Sequence, residues 1–336
     1  RTLQAVSTLR IWSVARAGFR SRPAQFPASA RERYLDMSSA RRVYDCFVFF
    51  NELDILEIRL NTLDKLVDTF VLVESTHTFT GQEKPLVYAQ NRDRFKRFND
   101  RIVHVVVDDM PEQAESTFVR EAYQRSAIGR GLADARPRDM VMVSDVDEIP
   151  KPDLLERALK DAAGRITYFE GVYYHFRLNW RLVGRQDLMT SRMIEYRHFR
   201  DGWLLRTTKG KRSASLPAWL ERIFWTPYAA ARHRAWLGRR IVPEGCWHFS
   251  FMSDPDRIRE KLTAYKAPDR LKLKDLRGDA VEERLSARRS MFDSEIEVAP
   301  LTEMPEYVQA NAARFRHILD LDAESAPAKP ARRKKA

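Results

Sequence analysis

Three carboxylates crowd into four residues of this chain, in Ser144-Asp145-Val146-Asp147-Glu148-Ile149-Pro150. In an extended turn, residues two apart point the same way, so Asp145 and Asp147 are expected to reach one cation. Mg²⁺ and Mn²⁺ take oxygen ligands and commonly bridge a few carboxylates to a substrate's phosphates. The chemistry expected here is a metal–diphosphate site. Acidic turns are common, so Asp-x-Asp alone carries little weight. Its setting adds weight. Met140 to Val143 is a short apolar run that suits a strand buried on both faces. Pro150 and Pro152 then end the turn and open a helix with Leu154, Leu155, Ala158 and Leu159 on one face. In open α/β sheets ligands bind just beyond the carboxyl ends of the strands, which is where these aspartates fall.

The elements that position this turn recur upstream. Val43 to Phe50, Thr69 to Glu74 and Ile102 to Val107 read as three earlier strands. Ile55, Ile58, Leu60, Leu63 and Leu66 recur near helical spacing, and Phe118 to Arg130 reads as a helix ending at Gly131. Strand alternating with helix predicts an α/β fold with a mostly parallel central sheet flanked by helices. A polar pair follows each strand: Asn51 and Glu52, Glu74 and Ser75, Asp108 and Asp109, Asp145 and Asp147. Such a row at one sheet edge suits a nucleotide pocket, although loops are polar in any case. Arg120 and Gln124 share a helix face at i and i+4, and Arg125 adjoins them; they are candidates to reach a base or phosphates, against the plainer expectation of a solvated face.

Beyond the turn, residues 166–176 form an aromatic strand-like run that closes at Trp180. Its aromatics suit sugar stacking as well as core packing. Residues 206–240 combine nine Lys and Arg against Glu221 with Trp219, Phe224, Trp225, Tyr228 and Trp236. That composition fits an interfacial segment at an anionic membrane, a polyanion site, or a solvated helical hairpin. Gly245-Cys246-Trp247-His248-Phe249 is another aromatic strand, and 254–320 reads as helical.

The charge of +12 over 336 residues suggests nucleic acid until it is located. Residues 1–42 hold nine Arg against Glu32 and Asp36, and 323–336 hold five basic residues against Glu324. The rest is close to neutral apart from 206–240, which argues against a nucleic-acid footprint. No apolar run approaches the roughly 18 residues that span a bilayer. Two cysteines without a Cys-x-x-Cys suggest neither zinc nor a disulfide framework, and a cytoplasmic setting, peripheral at the inner membrane face, is the expectation. The chain is expected to divide into a disordered basic arm over 1–42, one catalytic domain over 43–322 with 206–240 as a cationic aromatic insert, and a disordered basic tail over 323–336. Met37 is expected to be the true start, with 1–36 as an upstream extension or, failing that, a transit peptide.

Several of these stretches, taken in order, match a known pattern. Tyr44-Asp45-Cys46-Phe47 through Asn51-Glu52-Leu53-Asp54, Glu57-Ile58-Arg59-Leu60, Val73-Glu74-Ser75-Thr76-His77-Thr78-Phe79-Thr80-Gly81, Val107-Asp108-Asp109, Arg120-Glu121, the Ser144–Pro150 turn, Trp247-His248-Phe249-Ser250 and Arg314-Phe315 together resemble glycosyltransferase family 17. The resemblance covers roughly 43–320. It implies a GT-A fold and inverting transfer from a nucleotide sugar, typically UDP-N-acetylglucosamine, to a glycan or lipid-linked saccharide. By the same resemblance Asp145 approaches the ribose and the metal (Mn²⁺ or Mg²⁺), Asp147 binds the metal, and His248 is the candidate to complete its shell. One residue is inserted relative to the family's Gly-Trp-His, and 206–240 is longer than usual, so the acceptor half departs most from the pattern.

The nucleotide-sugar contacts expected are therefore Asn51, Glu52, Glu74, Arg120, Gln124 and Asp145, and the acceptor contacts Trp180 and Trp247. Inverting transfer needs a general base for the acceptor hydroxyl. Asp187, Glu195 and Asp201 are the candidates, with a lean to Asp187. Two rival readings stand beside this: a phosphatase or phosphotransferase using Asp145 as nucleophile, and a non-catalytic protein docking on anionic lipid or polymer through 206–240.

Overall fold

The computed structural model describes residues 41–184, 189–210, 229–233, 237–265, 279–291 and 294–321. Residues 1–40 of the proposed arm, the proposed tail and most of 206–240 lie outside the described residues, while Arg42 at the arm's end pairs with Asp139, 2.9 Å away. Four strands come first in parallel: β1 (Val43–Phe49), β2 (Thr69–Ser75), β3 (Ile102–Val107) and β4 (Met140–Asp145). Their spatial order is β3-β2-β1-β4, with Cys46 opposite both Val71 and Val143. The helices expected between them are α1 (Leu53–Leu63) and α2 (Thr117–Ser126), and α3 (Pro152–Lys160) follows the acidic turn. The helix expected to run on to Arg130 stops at Ser126 and tightens into a 3₁₀ turn over Ala127–Leu132.

Strand alternation explains why these runs are so largely apolar. Phe47, Phe70, Leu72, Met140 and Met142 face one core with α1, while Cys46, Val71, Val73, Val141 and Val143 face a second core on the other side of the sheet. Both faces are covered, so these runs are almost wholly apolar; in the middle of β1 the exception is Asp45, which is buried and paired with Arg59.

The second half changes the sheet's character. β8 (Met189–Glu195) runs antiparallel beside β4, and β6 (Arg165–His175), β7 (Trp180–Leu182) and β10 (Ile296–Val298) continue outward from it. Only four residues separate β6 from β7, too few for a crossover helix, so the chain reverses instead. The sheet is therefore mixed, with parallel order in its first half and in one later ladder. In that ladder β9 (Gly238–Ser250) lies parallel to β6 and also pairs antiparallel with the short β5 (Glu148–Pro150). α4 (Gly202–Thr207) packs near α2, and α5 (Pro255–Tyr265), α6 (Ala280–Ser286) and α7 (Glu306–Ala310) complete the described helices named here. The helical reading of 254–320 holds for these pieces and fails at β10. Among the described residues no helix is long and apolar enough to cross a membrane.

Candidate active site

The acidic turn is fastened from beneath by one side chain. Arg59 of α1 is fully buried and forks onto Asp45, with Nη2 2.6 Å from Oδ1 and Nε 2.7 Å from Oδ2. Its Nη1 donates to the carbonyl oxygens of Asp145 at 3.0 Å, Val146 at 3.2 Å and Glu148 at 2.8 Å. Its Nη2 also donates to Ser144 Oγ at 2.6 Å. One guanidinium thus gathers three backbone carbonyls of the turn. The turn is pinned from the side as well, because β5 pairs with Cys246–His248 and Phe249 N–H donates to Asp147 O at 2.9 Å.

Val146 and Asp147 form a turn, so the extended geometry expected from the sequence is not met. The two aspartates diverge. Asp145 continues the β4 alternation onto the α2 side, where Arg125 Nη1 lies 2.5 Å from Oδ1 and Arg206 Nη2 lies 3.3 Å from Oδ2. Arg206 also holds Glu148 at 2.6 Å, and Glu148 in turn accepts the Asp145 N–H at 3.0 Å. Burial alone would raise the Asp145 pKa; the two guanidiniums overcome it and hold the carboxyl well below the usual range. Its ion pairs therefore persist as pH falls through the ordinary aspartate range. Arg192 adds a third guanidinium nearby, with its pKa lowered to about 9 by burial and by Arg206. The close approach of α4 needs Gly202, where a Cβ would stand 2.2 Å from the Arg125 carbonyl oxygen. The inward aim of Arg206 corrects the expectation that the start of the cationic segment faces a surface: two buried-side carboxylates claim it.

Asp147 turns the other way. Its Oδ2 lies 3.1 Å from Lys261 Nζ on α5, and its Oδ1 lies 3.8 Å from His248 Nε2. His248 reaches it because Trp247 and Phe249 point into the α1-side core, which leaves the residue between them on the opposite face of β9. The ring packs on Tyr173 at 4.4 Å, and its Nδ1 is buried with no hydrogen-bond partner among the described residues. Lys261 also lies 2.7 Å from Glu52 Oε1, while Glu52 Oε2 accepts the N–H groups of Phe50 and Asn51.

Among the described residues no three His, Cys, Asp or Glu side chains gather as a metal cage. The residues present fit a divalent cation nonetheless. Mg²⁺-type sites are often held by one or two carboxylates plus substrate phosphates, not by an all-protein shell. Asp147 Oδ1 and His248 Nε2 stand 3.8 Å apart as an oxygen and a nitrogen donor, with Nε2 also meeting Ser250 Oγ at 3.0 Å, a contact that a cation would have to displace.

The residues expected on the nucleotide side lie near the ends of β1 and β2. A narrow cavity lies among Phe50, His77, Phe79, Lys84, Gln124 and Ala264, at the ends of β1 and β2. Gln124 is buried and donates to Val73 O at 3.1 Å, and Arg120 reaches the Gly81 loop and donates to Glu112 O at 2.8 Å. Asn51 sits at the mouth of a neighbouring cavity of about 180 Å³ that Glu52, Asp54, Arg257 and Lys261 also line.

A family model described as "Glycosyltransferase family 17" matches residues 31–210, more than half the chain. The chain belongs to glycosyltransferase family 17. Among curated proteins, family 17 resemblance extends to the rat beta-1,4-mannosyl-glycoprotein 4-beta-N-acetylglucosaminyltransferase, 25% identical over 319 residues, covering 86% of this chain and 56% of that protein. The human enzyme of the same name is 24% identical over 319 residues, covering 86% and 57%. The chain thus spans a little over half the length of these relatives. A solved structure, glucosyl-3-phosphoglycerate synthase from Mycobacterium tuberculosis in complex with Mn²⁺, UDP and phosphoglyceric acid, aligns at a TM-score of 0.35 with 13% identity, covering 73% of this chain and 86% of that one. A likeness of that size carries no argument about the site.

Several residues expected to work in this family 17 site are placed elsewhere. Glu195 pairs with Met140 at the start of β4, on the order of 16 Å along the strand from Asp145. It is buried, accepts the Gly164 N–H at 3.1 Å and pairs with Arg197 at 2.8 Å, which overcomes burial and lowers its pKa. Asp201 caps α4, accepting the Leu204 N–H at 3.0 Å, with its pKa raised by burial. Neither is free to act as the base. Asp187 lies outside the described residues. Trp180 and Trp247 are buried and their indole N–H groups are spent on Asp320 Oδ2 and Glu303 O, so neither offers a face to an acceptor. Glu74 is fully buried and accepts the Tyr88 N–H at 3.0 Å beside His104 and Lys84, so it builds the pocket wall and does not line the cleft. Sequence reasoning missed Arg59, Glu148, Arg206 and Lys261. Arg59 and Glu148 stood within the quoted motif stretches; Lys261 gave no signal.

Proposed function

We propose that this family 17 chain is a metal-dependent inverting transferase that moves N-acetylglucosamine from UDP-N-acetylglucosamine to a glycan or lipid-linked saccharide. The observation that carries this is the meeting of Asp147 with His248, residues 101 positions apart, at the carboxyl edge of the parallel strands and next to the cavity that Glu52, Phe249 and Lys261 line. The names of the relatives support the sugar and suggest a β-1,4-mannosyl glycan as one acceptor. Asp147 and His248 would hold Mn²⁺ or Mg²⁺ together with the donor's phosphates. When bound, the cation offsets the charge that develops on the leaving diphosphate. Arg125 and Arg206 keep Asp145 ionised and hold it on the α2 side of the turn, away from Asp147. Asp187, toward which the sequence leans and which lies outside the described residues, is retained as the proposed general base.

A donor panel tests this. Purified protein is expected to release UDP from UDP-N-acetylglucosamine in the presence of a mannosyl-glycan acceptor and Mn²⁺, and to lose that activity with EDTA. Equal turnover of a nucleotide sugar with and without EDTA overturns the metal assignment, and no UDP release from any donor overturns the transferase reading.

The acceptor class motivates a second arm. The basic aromatic segment 206–240, apart from the inward-facing Arg206, is proposed to rest on an anionic membrane that presents a lipid-linked saccharide. Flotation with liposomes containing anionic lipid is expected to carry the protein upward at low salt and release it at high salt. Protein that stays at the bottom at low salt rules this arm out.

A further inference from the structure

Lys261 stands where the metal reading needs a cation. Its ammonium bridges Glu52 Oε1 at 2.7 Å and Asp147 Oδ2 at 3.1 Å, and both carboxylates are largely shielded from solvent. Glu52 is fixed from its other oxygen by two backbone N–H groups of the loop after β1, so it cannot follow a ligand. Asp147 has no such anchor; its side chain meets only Lys261 and His248 in the contacts described above. The adjoining cavity of about 180 Å³ is lined by Glu52, Asp54 and Lys261 itself, which gives the ammonium room to withdraw while keeping an acidic partner.

We propose that Lys261 is the resident counter-cation of the site, and that a divalent metal has to displace it from Asp147. A lone carboxylate buried beside Glu52 would repel its neighbour, and the ammonium removes that repulsion until the metal arrives. Two cations cannot share Asp147 at contact distance without strong repulsion. The ammonium therefore lowers the affinity of the ligand-free protein for metal. The metal–diphosphate complex, which brings its own negative charge, pulls Lys261 away more readily than the bare ion does. Metal binding is then favoured when donor comes with it. This inference rests on the metal part of the proposed function, not on the identity of the sugar.

The test is a titration of donor-free protein with Mn²⁺ alone, reading the free-ion electron paramagnetic resonance signal. Lys261→Gln is expected to bind Mn²⁺ at least about tenfold more tightly than wild type, since a unit positive charge at contact distance is removed. Lys261→Arg is expected to stay near wild type, and Asp147→Asn to bind weakly in either background. Lys261→Gln binding no tighter than wild type overturns the proposal. A second measurement uses the wild-type chain, in case the variant fails to fold. Acetylation of Lys261, followed by mass spectrometry, is expected to rise several-fold when Mn²⁺ is added, because the ammonium is released from Asp147. Unchanged labelling also overturns it. Tighter Mn²⁺ binding by Lys261→Gln, alongside a donor panel that yields no UDP, would sink the donor reading and leave this inference standing; the reverse pattern would do the opposite.

Discussion

Asp147→Ala is expected to lower Mn²⁺-dependent UDP release at least about hundredfold while the fold survives. The two halves of that expectation come from different contacts. Asp147 supplies the carboxylate beside His248; among the described residues the neighbouring carboxylates are already held, Asp145 and Glu148 by Arg125 and Arg206, and Glu52 by Lys261 and two backbone N–H groups. The backbone at 147 is secured independently, through the bond from Phe249 N–H, and it keeps that bond when the side chain is cut back. Lys261 loses one partner and retains Glu52. The stability cost is therefore that of a partly shielded ion pair, about 1 kcal/mol. Paired assays of UDP release and urea unfolding check this. Activity at the wild-type level would end the role given to Asp147, and an unfolded variant would show that the turn depends on the side chain more than its contacts indicate.

Arg59→Met is expected to destabilise the protein by about 3–5 kcal/mol, the cost of leaving one partner of a buried pair behind. Three groups are stranded together: the Asp45 carboxylate, the Ser144 hydroxyl, and the carbonyls of Asp145, Val146 and Glu148. Arg59→Lys keeps the charge but not the planar fork, so it is expected to recover only part of the loss. Urea unfolding monitored by tryptophan fluorescence measures both. A loss for Arg59→Met under about 1 kcal/mol would mean that water or repacking takes over the guanidinium's bonds. Because the same side chain shapes the acidic turn and closes a buried ion pair, variants here are expected to lose stability and donor turnover together, unlike Asp147→Ala.

The parallel half of the fold could be read from residue order because its signals are local. Met140 to Val143 is apolar on both faces since both faces carry a core, and the carboxylates begin where that cover ends. The place of His248 beside Asp147 was reachable only through the family resemblance. The contacts made across long sequence separations were not. Arg59 to Asp145 spans 86 residues, Arg206 to Asp145 spans 61 and Lys261 to Asp147 spans 114. Nothing in the local pattern distinguishes Arg206 from the other basic residues of its segment, so its charge was assigned to a surface. Glu195 and Asp201 were misjudged for a related reason. A carboxylate at a strand end or before a helix looks available until the register and the cap are seen. The two tryptophans failed because aromatic density in strands more often marks packing than stacking.

The pairing of β5 with β9 has a consequence for how the protein is made on the ribosome. Residues 148–150 leave the exit tunnel well before their antiparallel partners at 246–248, which follow about 100 residues later. At a synthesis rate of about 5–20 residues per second, that is a wait of roughly 5–20 s. Throughout it the parallel strands can collapse, yet β5 beyond the acidic turn lacks its partner and His248 has not yet been made. The nascent chain therefore spends seconds as a sheet with an unfinished rim, open to any chaperone that recognises unpaired strand edges.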